Sequence, residues 1–121
     1  MAVILIVEDD ALMCELVEML IQGWGYHTLS ANDKDEALSL LRSSQSIDAL
    51  FTDIYLKTEV LGGCELVRQA ITLRPKLRVL YTTGNSLTNE LRAQFVEGTN
   101  CLSKPYSQRQ LQKSLEDLLA A

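Results

Sequence analysis

Short apolar runs alternate along the chain with longer amphipathic stretches, and the alternation predicts the elements. Ala2-Val3-Ile4-Leu5-Ile6-Val7 is apolar without interruption, as suits a central strand buried on both faces. A helix should follow, with Asp10 as N-cap, Leu12, Met13, Leu16, Val17 and Leu20 as its buried stripe, and Gly23 and Gly25 at its end. Trp24 then falls at the helix end as a packing residue. Residues 26–30 alternate weakly, like an edge strand. Asp33 and Glu36 form a capping-box-like pair ahead of a helix that buries Ala37, Leu38, Leu40 and Leu41.

Residues 48–53 predict a second fully buried strand, followed by a loop over 54–63 and a helix with Leu66, Val67, Ala70 and Leu73 inside, stopped by Pro75. A strand over 78–83 comes next, then a turn at Gly84-Asn85-Ser86 and a short polar helix from about Thr88 to Glu97. Gly98 closes that helix, Cys101-Leu102-Ser103 forms the last strand, and a final helix from Ser107 buries Leu111, Leu115, Leu118 and Leu119. Five strands alternating with five helices call for an α/β, doubly wound (βα)5 architecture: a parallel sheet, right-handed crossovers, and helices on both faces.

Four of the strands stop on chemistry. The first ends on Glu8 and Asp9, the third on Asp53, the fourth on Thr83 and the fifth on Lys104. In open parallel sheets ligands bind at the carboxyl edge, so side by side these groups share one rim. Crowded carboxylates resist ionisation unless a cation sits among them, and Mg²⁺ suits an all-oxygen set that leaves room for phosphate. Asp53 would then serve as a carboxylate nucleophile forming an acyl phosphate, with Lys104 and Thr83 as donors to the phosphoryl oxygens. Singly, each of these residues reads as an ordinary turn, cap or solvated charge; their conjunction after four different strands is the signal. His27, on the edge strand, reads as structural or exposed, and Glu15, Glu18, Arg109 and Lys113 as solvated helix faces.

Composition narrows the setting. A chain of 121 residues, 47% hydrophobic, supports one core, so residues 1–121 are expected to form a single domain with no output domain. The net charge of −5 argues against a nucleic-acid surface. The apolar runs are too short to span a membrane and no leader is evident, which makes a cytoplasmic location the expectation. Cys14, Cys64 and Cys101 lack metal or redox spacing and read as small buried thiols.

Ile4-Leu5-Ile6-Val7-Glu8-Asp9-Asp10, Thr52-Asp53, Tyr81-Thr82-Thr83-Gly84 and Ser103-Lys104-Pro105-Tyr106, in this order, resemble the CheY-like receiver domain of two-component response regulators across essentially the whole chain. The resemblance implies a flavodoxin-like, CheY-like sheet of order 2-1-3-4-5. It implies a phosphoacceptor, rather than an enzyme with turnover, that receives its phosphoryl group from a sensor histidine kinase or histidine phosphotransfer protein. Asp53 would be the phosphoacceptor, Asp9 the direct Mg²⁺ carboxylate, Glu8 a ligand through water, and Tyr55 a ligand through its backbone carbonyl. Thr83 would be the switch hydroxyl and Lys104 the phosphate-pairing lysine, before a proline that is usually cis. Tyr55 and Asn85 would flank the mouth. Cys101 stands where many members carry a swinging aromatic, so switching is expected to run through residues 84–87 instead. Leu56-Lys57 replaces the usual Met-Pro, in a longer loop. The output would be an unknown downstream protein, reached by docking, onward transfer or a homodimer through the last strand and helix. The alternatives are a degenerate receiver that only binds, a flavodoxin-like electron carrier and a haloacid-dehalogenase-like phosphatase. An acidic first loop speaks against the electron carrier, and Tyr55 in place of a second acid speaks against the phosphatase.

Overall fold

The computed structural model describes residues 2–56, 61–84, 88–96 and 98–120. Its strands are β1 (Val3–Val7), β2 (His27–Ala31), β3 (Ala49–Asp53), β4 (Arg78–Thr83) and β5 (Asn100–Ser103). Its helices are α1 (Ala11–Gly23), α2 (Lys34–Arg42), α3 (Gly62–Leu73), α4 (Asn89–Arg92) and α5 (Gln108–Ala120). The strands form one parallel sheet of order β2-β1-β3-β4-β5. All five residues of β3 are buried, as its unbroken apolar run requires of a central strand. Among the described residues no helix is long and apolar enough to cross a membrane.

The core has two layers, one on each face of the sheet. Leu5, Val7, Leu50, Val79 and Tyr81 point toward α2, α3 and α4, while Ile4, Ile6, Ala49, Phe51 and Leu80 point toward α1 and α5. This is the two-residue alternation of a strand expressed on both sides. Capping fixes where the helices begin. Asp10 accepts from the amides of Leu12 and Met13, Asp33 from that of Glu36, and Thr88 from that of Leu91.

Several expectations need correction. In α1 the buried face is Cys14, Val17 and Ile21, and the expected leucine stripe lies outside, with Leu12 77% and Leu16 51% exposed. Met13 is also exposed and Leu20 only half-buried. Asp10, by capping at Leu12 and Met13, sets a phase in which the smaller residues meet the sheet. Leu73 is exposed because it falls on the solvent side of the last turn of α3, where Ala70 takes the core-facing position. Asp48 sits just ahead of β3, where its carboxylate accepts from the Val3 amide at 2.8 Å. Regular α4 ends at Arg92, well short of Glu97, which lies outside the described residues. Glu18 is not simply solvated, since it accepts a hydrogen bond from the Thr28 hydroxyl at 2.9 Å. Cys101 is only half-buried, whereas Cys14 and Cys64 are buried; all three are free thiols. His27 is exposed on the edge strand.

Candidate functional site

Each strand end delivers its residue to one rim by a backbone bond to its neighbour. The Glu8 amide donates to the Ala31 carbonyl at 3.1 Å, the Ile54 amide to Thr82 at 3.0 Å, and the Lys104 amide to Thr83 at 2.8 Å. The ladders thus continue past the last strand residues and hold Glu8, Asp53, Thr83 and Lys104 level. Glu8, Asp53 and Thr83 are buried. Lys104 precedes a cis proline, Pro105, and the Tyr106 ring beyond it meets Phe51 edge-on at 6.3 Å.

The rim is electrostatically strained and internally paired. Lys104 Nζ lies 2.9 Å from Asp53 Oδ1 and 3.4 Å from Glu8 Oε1. Glu8 Oε2 accepts from the Asp10 amide at 3.3 Å. Burial, reinforced by a hydrogen bond shared with Glu8, pushes Asp53 up to about 8 despite the ammonium beside it. Burial acts on Glu8 in the same upward sense, yet its hydrogen bonds with Asp53 and the Asp10 amide, together with Lys104, hold it below the usual carboxylate value. Burial alone would lower Lys104, but its two carboxylate partners keep it raised and charged. Two acids this close share a proton when nothing else neutralises them.

The donor set fits a hard cation. Glu8, Asp9 and Asp53 each offer a carboxylate oxygen, and these atoms lie within 4.8 Å of one another. They open into a hollow of about 320 Å³ that Tyr55, Thr83, Gly84 and Lys104 also line. Every site residue expected from the sequence therefore comes together here, except Asn85, which lies outside the described residues with Ser86 and Leu87. Lys57 of the atypical loop is likewise outside them.

Two features escaped the sequence reading. Met13 lines the hollow, and an apolar groove of about 490 Å³ runs on from it between Met13, Leu16, Leu20, Pro105 and Tyr106. The signal was present as an excess of apolar residues in α1, more than a single core-facing stripe accommodates.

The model of the response regulator receiver domain matches residues 4–116. This chain belongs to that family. The receiver is 30% identical over 118 residues to the transcriptional regulatory protein ZraR of Escherichia coli K12, covering 97% of this chain and 26% of that protein. It thus spans about a quarter of the length of that relative. It is 28% identical over 119 residues to the response regulator receiver protein CpdR of Brucella abortus, covering 98% of this chain and 97% of that one. Among solved structures, the chemotaxis protein CheY4 of Vibrio cholerae superimposes with a TM-score of 0.87 at 25% identity, covering 98% of each chain. The receiver is accordingly a module of two-component signalling with the CheY-like fold.

Proposed function

We propose that this receiver is a single-domain response regulator that takes a phosphoryl group on Asp53 from the phosphohistidine of a kinase or phosphotransfer protein. The observation that carries the reading is the Lys104–Asp53 contact of 2.9 Å beside carboxylates within 4.8 Å of one another. Asp9 and Asp53, the Tyr55 carbonyl and, through water, Glu8 would hold Mg²⁺. When bound, that ion neutralises the acids and anchors a phosphoryl oxygen.

Asp53 must lose its proton before it can attack. The ionised Oδ then forms the bond to phosphorus as the phosphorus–nitrogen bond of the donor breaks, and the freed imidazole takes a proton. Lys104, already on Asp53, has only to turn to a phosphoryl oxygen as charge moves outward, and Thr83 offers its hydroxyl to another. The groove beside the hollow suits an apolar helix carrying the donor histidine, which favours a protein donor over a small metabolite. The CpdR relative, matched over nearly its whole length, supports a receiver that works alone, and a cytoplasmic location goes with that reading.

Incubation with a small phosphodonor and Mg²⁺ should add one phosphoryl group by intact mass, and Asp53→Asn should add none. Undiminished labelling of that variant overturns the assignment.

A further inference from the structure

At the foot of α3 the chain passes unusually close to the end of β3. A methyl group at Gly63 would run into the Asp53 carbonyl oxygen and stand 2.8 Å from the Asp53 carbonyl carbon and 2.9 Å from Ile54 Cα. All three atoms are backbone, so no side-chain rotation relieves the overlap. The Gly63 amide also donates to the Ile54 carbonyl at 2.9 Å. The Asp53 carbonyl in turn accepts from the buried Thr52 hydroxyl at 3.0 Å. Just before this contact Leu61 adopts φ 58, in the left-handed region that a branched side chain seldom occupies. Such a conformation persists where the surrounding packing enforces it.

We propose that Gly63 is a positioning residue for phosphoryl transfer. By letting α3 rest directly on the Asp53 and Ile54 backbone, it fixes the phosphoacceptor carboxylate and the Tyr55 carbonyl relative to Asp9 and Lys104. This rests on the phosphoacceptor reading above. A side chain here forces a displacement on the order of 1 Å, since carbon atoms need about 3.5 Å. Both partners are firmly held: Cys64, Leu66, Val67 and Ala70 of α3 are fully buried, and so is Ile54, whose amide also bonds the Thr82 carbonyl. Neither side can absorb the overlap alone, so the end of β3 takes part of the displacement, and with it the carboxylate.

The test compares Gly63→Ala with Val67→Ala, a stability control one turn along the same helix. Thermal unfolding, Mg²⁺ affinity by isothermal titration and labelling by a small phosphodonor are read on each. Gly63→Ala should lose roughly tenfold to a hundredfold in labelling rate, the scale on which a 1 Å misplacement acts, and should bind Mg²⁺ several-fold more weakly. Val67→Ala should lose thermal stability while keeping both within about twofold of wild type. Parallel losses in the two variants, or wild-type Mg²⁺ affinity in Gly63→Ala, overturn the proposal. Should Gly63→Ala fail to fold, Thr52→Val decides, because it frees the same carbonyl without a clash. Labelling slowed about threefold in a folded Thr52→Val supports the role, and an unchanged rate refutes it. Failure of wild-type protein to label at all would instead overturn the phosphoacceptor reading.

Discussion

On one side of the sheet α2 and α3 close over Leu5, Leu50 and Tyr81. On the other, α5 buries Leu111, Leu115 and Leu118 while its neighbour α1 keeps Leu12, Leu16 and Met19 in solvent. α1 and α5 are both 13 residues long and share a single layer. They differ in what the sequence offers them. α5 carries apolar residues at one helical phase and polar ones elsewhere, so only one orientation buries its leucines. α1 is apolar at most positions from Leu12 to Ile21, and either of two phases would serve a core. A helix with a surplus of apolar surface can line the core with one face and leave the other for a partner. Here that second face borders the acidic hollow through Met13.

The largest effect separating the two helices is on stability. Leu115→Ala should cost about 3 kcal/mol, since the side chain is fully buried. Leu16→Ala, at an exposed position, should stay within about 0.5 kcal/mol of wild type. Urea unfolding of both variants checks the pair; comparable losses would mean that the outward face of α1 belongs to the core after all.

The same contrast shows how far the residues alone could carry the reading. β3, β4 and α5 were legible because their patterns admit one solution, and so was the rim, because Glu8, Asp9, Asp53, Thr83 and Lys104 each follow a strand. The phase of α1 was not legible, since it turns on the Asp10 cap and on the space the sheet leaves for Cys14 and Val17. Gly63 was hidden for another reason. Its role lies in an approach to Asp53 across a turn, and a glycine in sequence carries no trace of what it lies against.

If the outer face of α1 receives the phosphodonor protein, Leu12→Ser combined with Leu16→Ser should slow transfer from a phosphohistidine protein about tenfold, the equivalent of about 1.4 kcal/mol. Labelling by a small phosphodonor should remain within about twofold, because neither residue lines the hollow. Equal losses with both donors would assign the face to folding or to the chemistry itself.

The rim where the two sides meet adds a pH dependence. Asp53 is raised to about 8 from an ordinary 3.8, so between those values the folded state holds a proton that the unfolded chain has lost. Metal-free stability contributed by this group is full below about pH 4 and is lost as pH rises through 8. Glu8, lowered, acts in the opposite sense at the acid end, where its contribution disappears as pH falls. A cation must displace the proton on Asp53, so Mg²⁺ affinity should rise up to about tenfold per pH unit from 6 to 8 and then level off. Isothermal titration across that range checks it. Asp53→Asn should bind more weakly and with a flat profile, and a flat profile in wild type would show that Asp53 carries no such proton.

The smallest expected effect is that of Tyr81→Phe on the closed side, where Tyr81 is fully buried and stacks on Phe95 with centroids 4.4 Å apart. The ring stands beside Cys101 in the β4–β5 register and fills space on the face toward α4, so the closed side is already packed with an aromatic where β5 offers only a thiol. Its hydroxyl is less well served. Among the described residues no group closes a hydrogen bond to it, although Val96 and Thr99 stand near, and the Thr99 hydroxyl donates instead to the Val96 carbonyl at 2.6 Å. Burial pushes the phenol up to about 12, so it stays neutral at any ordinary pH. Removing a buried hydroxyl with no closed partner relieves desolvation and loses little hydrogen-bond energy. Tyr81→Phe should therefore match wild type or exceed its stability by up to about 1 kcal/mol, with the Phe95 stack intact. Tyr81→Ala, which empties the ring's place, should cost about 3 kcal/mol. Urea unfolding of the two variants separates ring from hydroxyl: a loss above about 1 kcal/mol in Tyr81→Phe would mean that the hydroxyl is bonded in solution and that the closed side is held by a polar tie as well as by packing.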